Sequence, residues 1–329
     1  MTKVSAGDIG AIAKLSVTGT ADTLGAKDQP ALSGIAFPRA TYSMSVQPET
    51  KGDLDKMSTI LPRMQEEDPT LLLKRDADTG EMLITGLGDT HLEVVKDKMS
   101  RKFGVKVVLS TPSVPYKETI TVATKAEYKH KKQTGGHGQY GHVMLELQPL
   151  PKGGGFEFEV KTVGGSIPNN FIPSVEKGVN EARHEGVLAG FPLVDVKVIL
   201  YDGSFHPVDS SDIAFKIAAA QALKKGLRDG QPVLQEPIMD LTIRVPEGMT
   251  GDVISDLNTK RGRVFGMNPE HGYNVITAQA PYAELLRYAI DLRSMLQGRA
   301  DFDMVFSHFE EVPAHLSQKI IARQAEKAE

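Results

Sequence analysis

The sequence contains no cysteine. That removes disulfides, thiolate zinc sites and cysteine nucleophiles together. It also lacks an uninterrupted apolar run of about 18 residues, and its first ten residues, MTKVSAGDIG, hold no apolar signal segment. A cytoplasmic protein without a membrane span is the expectation. Positive charge is not in excess: 38 Lys and Arg face 42 Asp and Glu, a formal net charge of −4. The whole molecule therefore exerts no general pull on nucleic acid, and any RNA contact has to come from a local basic patch. No G-x-x-x-x-G-K-[ST] run occurs in the sequence. Without that phosphate cradle, the chain by itself is expected neither to bind GTP nor to hydrolyse nucleoside triphosphates, and it needs no cofactor of its own.

What is present is an ordinary globular composition, 40% hydrophobic and 24% charged. The 329 residues exceed the length of about 250–300 at which one core stops growing, so several domains are expected. Residues 1–38 read as short strands, Ile9 to Leu15 and Ala31 to Phe37, with too little apolar length for a core of their own.

From Ala40 strands alternate with helices. A helix starting at Asp53 spaces Leu54, Met57, Leu61 and Met64 as one buried face, and a second carries Leu92, Val95, Met99 and Phe103 and stops at Gly104. With strands at 41–47, 71–75, 81–85 and 105–109 this is a βαββαβ unit over residues 40–115. The same order recurs at 237–312: strands 238–245, 263–267, 274–280 and 301–307, a helix at 251–260, and a helix from Pro281 carrying Leu285, Ala289, Leu292 and Leu296. Between the two lies 116–236, with strands 118–125, 142–147, 156–161 and 194–200. Its helix near Pro173 turns Val175, Val179 and Ala182 inward, and its helix 211–228 is expected to bury Ile213, Ile217, Ala220, Leu223 and Leu227. The fold class is α+β: two ferredoxin-like sandwiches flank a third domain, with a β remnant before them and a helical tail at 313–329.

The informative stretch is Tyr128 to Leu147, YKHKKQTGGHGQYGHVMLEL. Gly136 to Gly141 matches G-x-G-x-x-G, which a dinucleotide site uses between a strand and a helix. Here an alternating strand follows, so that reading fails on context. The kinase reading needs a lysine on the next strand, an H-R-D loop and D-F-G; residues 143–151 contain no lysine, H-R-D is absent, and Asp301-Phe302-Asp303 lacks the glycine. What is left is a hairpin tip whose glycines permit a tight turn and close approach to a phosphate or base edge. From Lys125 to His142, Lys125, Lys129, Lys131 and Lys132 against Glu127 give a charge of +3 before histidines, for phosphate attraction or merely a solvated strand face. His130, His137, His142 and His206 have neither the helical spacing nor the carboxylates of a metal site. His206 with Asp209 and a following serine suggests a nucleophilic triad, but Asp209 or Ser210 as the cap of the next helix accounts for the pattern and leaves His206 exposed. Asp89, His91 and Glu93 begin a helix, where acids suit the positive end of the dipole.

Six blocks in order resemble elongation factor G, a family of ribosomal translocases. TGGHGQYGHV (Thr134 to Val143) is similar to the first tip loop of the family's domain IV, and HPVDSSDIAFKIAA (His206 to Ala219) to its second tip loop. EEDPTLLL (Glu66 to Leu73) with GLGDTHLEVVKDKMSRKFGVKV (Gly86 to Val107) resembles domain III. GDVISDLNTKRG (Gly251 to Gly262) with LRSMLQGRADFDMVF (Leu292 to Phe306) resembles domain V, and AGDIGAI (Ala6 to Ile12) with DTL (Asp22 to Leu24) the end of the β-barrel domain II. The resemblance implies a ribosomal-protein-S5-like fold for 116–236. It also implies tip loops, Gly135, Gly136, His137, Gly138, Gln139 and His206, that contact mRNA and tRNA on the ribosome, with Lys129, Lys131 and Lys132 as basic support. GTP and Mg2+ are implied for a GTPase domain that these residues do not include, a monomer is expected, and ribosome recycling factor is a candidate partner. The departures are His137 where the family usually has arginine, Pro207, Asp89-Thr90 for Glu-Leu, Ser255 for glycine and Val305 for glutamate. They leave open a main translocase, a paralogue for ribosome recycling or protection, or a stand-alone ribosome-binding module.

Overall fold

A computed structural model describes residues 3–133 and 138–328, and the chain divides into two compact units at Pro112/Ser113. In the first unit, β1 (Tyr42–Pro48) leads into α1 (Leu54–Glu67), which buries Met57, Ile60, Leu61 and Met64. Leu54, expected inward, is exposed, because it sits on the first turn beyond the edge of the sheet-facing stripe. β2 (Leu72–Arg75) and β3 (Met82–Gly86) form a hairpin. Its turn is held by the Asp76 carboxylate, which accepts the N–H groups of Asp78 at 3.0 Å and Thr79 at 2.8 Å. α2 (Asp89–Phe103) buries Leu92, Val95 and Met99 and ends at Gly104, whose φ of +66° is the left-handed conformation the sequence predicts. β4 (Val107–Ser110) completes an antiparallel sheet in the order β2-β3-β1-β4, the ferredoxin-like arrangement.

His91 on α2 does more than begin a helix. Its Nδ1 accepts the Leu87 N–H at 3.0 Å, which leaves the proton on Nε2, 2.9 Å from Asp68 Oδ2 at the end of α1. A neighbouring tie joins the same helices: Glu67 accepts from Lys102 and Lys98, and these two ammonium groups hold its carboxyl down at about 2. Because the folded value lies below the ordinary 4.5, this contribution is present above that pH and is lost as pH falls toward 2. The side chain is 39% exposed, so solvent keeps the effect small. In acid unfolding, Glu67→Gln should be less stable than the parent at neutral pH and converge with it between about pH 4.5 and 2; parallel curves throughout would remove Glu67 from the account.

Residues 3–40 contain no strand among those described, in contrast to the two strands expected there. Ile9 and Val17 are almost fully exposed. Strands of that length need neighbours on both sides to bury their apolar face, and this segment pairs with none among the described residues.

The second unit begins with β5 (Lys117–Ile120) and β6 (Thr124–Gln133), continues through β7 (Gly138–Pro149), β8 (Phe156–Val160), α3 (Ile172–Ala182) and β9 (Val196–Ser204), and reaches α4 (Asp212–Asp229). The single strand expected at 118–125 is thus two strands in different sheets: β5 pairs with β10 (Pro232–Pro246), whereas β6 opens a sheet of order β6-β7-β9-β8. Val143, Leu145 and Leu147 of β7, Val198 and Leu200 of β9, Val175 and Val179 of α3, and Phe215 and Leu223 of α4 make the core.

α4 departs from its expected burial. Leu223 and Leu227 are inside, but so are Ala214, Phe215, Ala218, Ala219, Ala222 and Gly226, while Ile213 is 63% exposed and Ile217 and Ala220 are half-buried. The helix is wedged between α3 and the sheet, and small residues stand where its backbone comes closest to them, with Phe215, Leu223 and Leu227 filling the space between. A Cβ on Gly178 of α3 would lie 2.4 Å from the Lys216 carbonyl oxygen, and one on Gly226 would lie 2.8 Å from Leu147. Close approach therefore selects the alanine face, and the larger isoleucines turn outward.

α5 (Thr250–Thr259), β11 (Arg263–Glu270), β12 (Tyr273–Pro281), α6 (Tyr282–Leu285), α7 (Tyr288–Met295) and β13 (Asp301–Glu311) complete the second ferredoxin-like sheet, ordered β11-β12-β10-β13. The helix expected from Pro281 is broken into two short ones. α8 (Ala314–Ala328) follows. β10 runs unbroken through residues 236 and 237, where the sequence suggests a domain boundary, and carries β5 along one stretch and β12 and β13 along the next. Arg261 fastens that strand: its guanidinium grips buried Glu236 at 2.6 and 2.9 Å and Glu284 at 3.0 Å.

Candidate functional site

β6 and β7 pair in register from Thr124↔Leu147 to Gln133↔Gly138, a long hairpin whose described strands end at Gln133 and Gly138. Neighbouring residues on a strand face opposite ways. Lys129 and Lys131 consequently share the face of their partners His142 and Tyr140, while Lys132 lies with Gln139 on the other. The +3 patch therefore splits. Lys125 leaves it as well: its ammonium is 3.4 Å from Glu146. The Gln148 amide and then, against the opposing effect of burial, Lys125 hold the Glu146 carboxyl below its usual range. Lys129, Lys131 and Lys132 are exposed and form no ion pair among the described residues, although Lys129 rests 5.4 Å from the Tyr140 ring centre.

The second loop, Phe205 to Ser211, meets this tip. β9 extends through Ser204, four residues beyond the end the sequence suggests, and carries the loop to the hairpin. Asp209 then makes the connection: its carboxylate accepts the Gly138 N–H at 3.0 Å, and its carbonyl accepts the Tyr140 N–H at 2.8 Å. His206 donates its backbone N–H to Ser210 Oγ at 2.8 Å, and its ring lies 6.2 Å from that of Tyr140. The helix cap belongs to Ser211, whose hydroxyl accepts the Ala214 N–H at 3.3 Å, not to Asp209 or Ser210. Ser210 Oγ accepts the His206 backbone N–H and Ser211 Oγ caps α4, so both serines of the alternative triad are used in holding the loop.

Two of the glycines also lie close to the protein itself. A Cβ on Gly141 would stand 2.7 Å from the Ala214 carbonyl, and one on Gly138 3.0 Å from the Asp209 carboxyl carbon. Their close approach is to the protein's own second loop and first turn of α4. On the open face of the sheet, Ser204 Oγ joins Tyr140 OH at 2.8 Å and His142 Nδ1 at 2.9 Å.

Of the sequence-derived site residues, Gly138, Gln139 and His206 lie at this junction of two loops, and Gln139 is 3.1 Å from His130 Nε2. Gly135, Gly136 and His137 lie outside the described residues. Sequence reasoning missed Asp209 as the link, having spent it on a helix cap, and missed Tyr140 and Ser204; the alternation of β7 was a usable signal for Tyr140. Among the described residues no group of three or more His, Asp or Glu is placed to hold a metal ion, and no helix is long and apolar enough to cross a membrane.

Comparison with known proteins covers almost all of the chain from residue 37 onward. Three family models match in sequence: Elongation Factor G, domain III, over residues 37–111; Elongation factor G, domain IV, over 112–231; and Elongation factor G C-terminus over 233–320. An elongation factor G-like protein of Thermotoga maritima is 48% identical over 317 residues, covering 96% of this chain and 46% of that protein. A crystal structure of a Thermus thermophilus protein is similar with a TM-score of 0.78 and 42% identity, covering 89% of this chain and 44% of its own. The chain thus spans about half the length of these relatives. With three consecutive domain matches, and two ferredoxin-like sheets that precede and follow the tip-bearing domain along the sequence, the chain belongs to the elongation factor G family.

Proposed function

We propose that this chain is the ribosome-engaging part of a translation factor that moves tRNA and mRNA, with the two joined tip loops as the RNA-facing end. The observation that carries the reading is the Asp209 link, which places His206, Gly138 and Gln139 together at the far end of a hairpin whose flank presents Lys129 and Lys131. Two loops joined at one end of a hairpin, with lysines on its flank, suit entry into a narrow RNA cleft by shape and phosphate attraction. The ribosome, tRNA and mRNA are the partners in this reading, and the factor works as a cytoplasmic monomer. GTP and Mg2+ would be used by a GTPase domain of the kind the family carries, outside these residues.

The split of the lysines supplies the test. Ribosome affinity of the chain is measured against salt for Lys129→Gln/Lys131→Gln and for Lys132→Gln. The salt slope should fall by about one for each phosphate contact removed, by more for the pair on the Tyr140 face than for Lys132. Unchanged slopes for both would return these lysines to a solvated strand face.

A second reading, a paralogue that recycles or protects ribosomes, is motivated by the name of the Thermotoga relative, elongation factor G-like, and by His137 where the family usually has arginine. Translocation and subunit-splitting assays run side by side, on this chain joined to a GTPase half, separate the two. Splitting without translocation would overturn the first.

A further inference from the structure

The His206 ring has an unusual set of neighbours on one edge. Its Nδ1 lies 3.2 Å from the Asp209 N–H and 3.4 Å from the Val208 N–H, and 3.3 Å from Asp209 Oδ2. The two backbone groups are donors, so a neutral ring satisfies them only with Nδ1 bare and its proton on Nε2. The carboxylate is an acceptor, so a charged ring satisfies it with Nδ1–H while Nε2 keeps its proton. Both states leave an N–H at Nε2. The ring is half exposed, with the Tyr140 ring at 6.2 Å and, beyond that ring, Lys129 among the described residues near it. The Tyr140 hydroxyl is engaged with Ser204 Oγ at 2.8 Å, and an ammonium group offers no acceptor.

The same aspartate holds the hairpin through the Gly138 N–H and the Tyr140 N–H, groups that are distant from it in sequence. We infer that Asp209 is a positioning residue: it locks the second loop to the hairpin and presents His206 Nε2–H outward as a hydrogen-bond donor in both protonation states, toward an oxygen acceptor on RNA. Only the RNA-facing part of this inference rests on the proposed function; the clamp stands on the geometry alone.

Two measurements on the chain itself test the clamp. At pH 8 the imidazole 15N shifts of His206 should show the proton on Nε2. Amide exchange at Gly138 should accelerate about ten-fold in Asp209→Ala, where its acceptor is gone, and stay near the parent in Asp209→Asn, which keeps a side-chain oxygen. A proton on Nδ1, or unchanged Gly138 exchange in Asp209→Ala, would overturn it. A third measurement tests the outward donor through ribosome affinity. His206→Gln reaches as far as Nε2 with an N–H and should bind within about three-fold of the parent, whereas His206→Asn, whose amide reaches only as far as Nδ1, should lose about ten-fold. Loss in both variants would mean that the ring, not the donor, is used. Parent-like binding in both, with the expected nitrogen pattern, would remove the RNA-facing role and leave the clamp.

Discussion

Glu118→Ala should destabilise the second unit by about 3–5 kcal/mol, read as a lowered denaturant midpoint at unchanged slope. Glu118 is 1% exposed, yet it faces no cationic side chain in the bonds that hold it; instead its carboxylate accepts three backbone N–H groups, from Leu188 at 2.9 Å, Ala189 at 2.9 Å and Phe191 at 3.1 Å. The loop after α3 is thereby wrapped around an internal anion. Removing the carboxylate strands three part-buried donors at once and leaves a void where the loop closed on it. Glu118→Gln separates charge from shape. It keeps an oxygen for Ala189 and Phe191 but turns an amide N–H toward the Leu188 N–H, so a loss of about 2–3 kcal/mol is expected. Gly186 supports the same arrangement: a Cβ there would fall 2.1 Å from the Glu118 carboxyl carbon. A midpoint for Glu118→Ala within error of the parent would show that the loop contributes nothing to the unit's stability.

Gly141→Ala should cost about 2–3 kcal/mol, the upper part of the range for overpacking, and should loosen the tip. The obstacle is backbone: the carbonyl of Ala214 at 2.7 Å and the Phe215 nitrogen at 2.8 Å. A side chain could swing away, but the first turn of α4 cannot without moving the cap at Ser211 and the Asp209 loop with it. Gly138→Ala is the contrasting substitution. The nearest described atoms to its added methyl belong to the Asp209 side chain, at 3.0–3.2 Å, which can give way, so its stability cost should be smaller. Both should weaken ribosome binding, Gly141→Ala by displacing β7 from α4 and Gly138→Ala by pushing the Asp209 carboxylate off its N–H partner. Equal stability of Gly141→Ala and the parent would contradict the close packing of β7 on α4. Normal ribosome binding by both variants would separate the tip's geometry from its proposed task.

Much of the architecture was legible along the chain. The helix stripe at Met57, Leu61 and Met64, the stop at Gly104, the Asp76 turn and the alternation of Val143, Leu145 and Leu147 are signals carried within a few residues, and each element formed where its pattern lies. Their order, twice βαββαβ, then leaves few ways to build a sheet. The rejection of a nucleotide loop at Gly136 to Gly141 also came from local context, because the alternating strand after the glycines is visible without a structure.

What local pattern could not decide was which surface each element meets. Ile213 and Ile217 looked inward by spacing, yet the face of α4 that meets α3 and the sheet is the one carrying Ala214, Phe215, Ala218, Ala222 and Leu223. The stretch at 118–125 looked like one strand, yet its halves join different sheets because β10 offers an edge to the first half only. Asp209 looked like a cap, yet its carboxylate found a donor 71 residues away, and no spacing rule reaches that far. By itself the sequence determined the elements, their order, the absence of a phosphate cradle and the hairpin with its glycine tip, since these depend on backbone preference and short-range periodicity. Only the tertiary structure decided that the tip is two loops held as one by Asp209, that its lysines point to opposite faces, and that Gly138 and Gly141 are small for the sake of α4 and its loop, because those facts depend on which distant surfaces are brought within a few ångströms of each other.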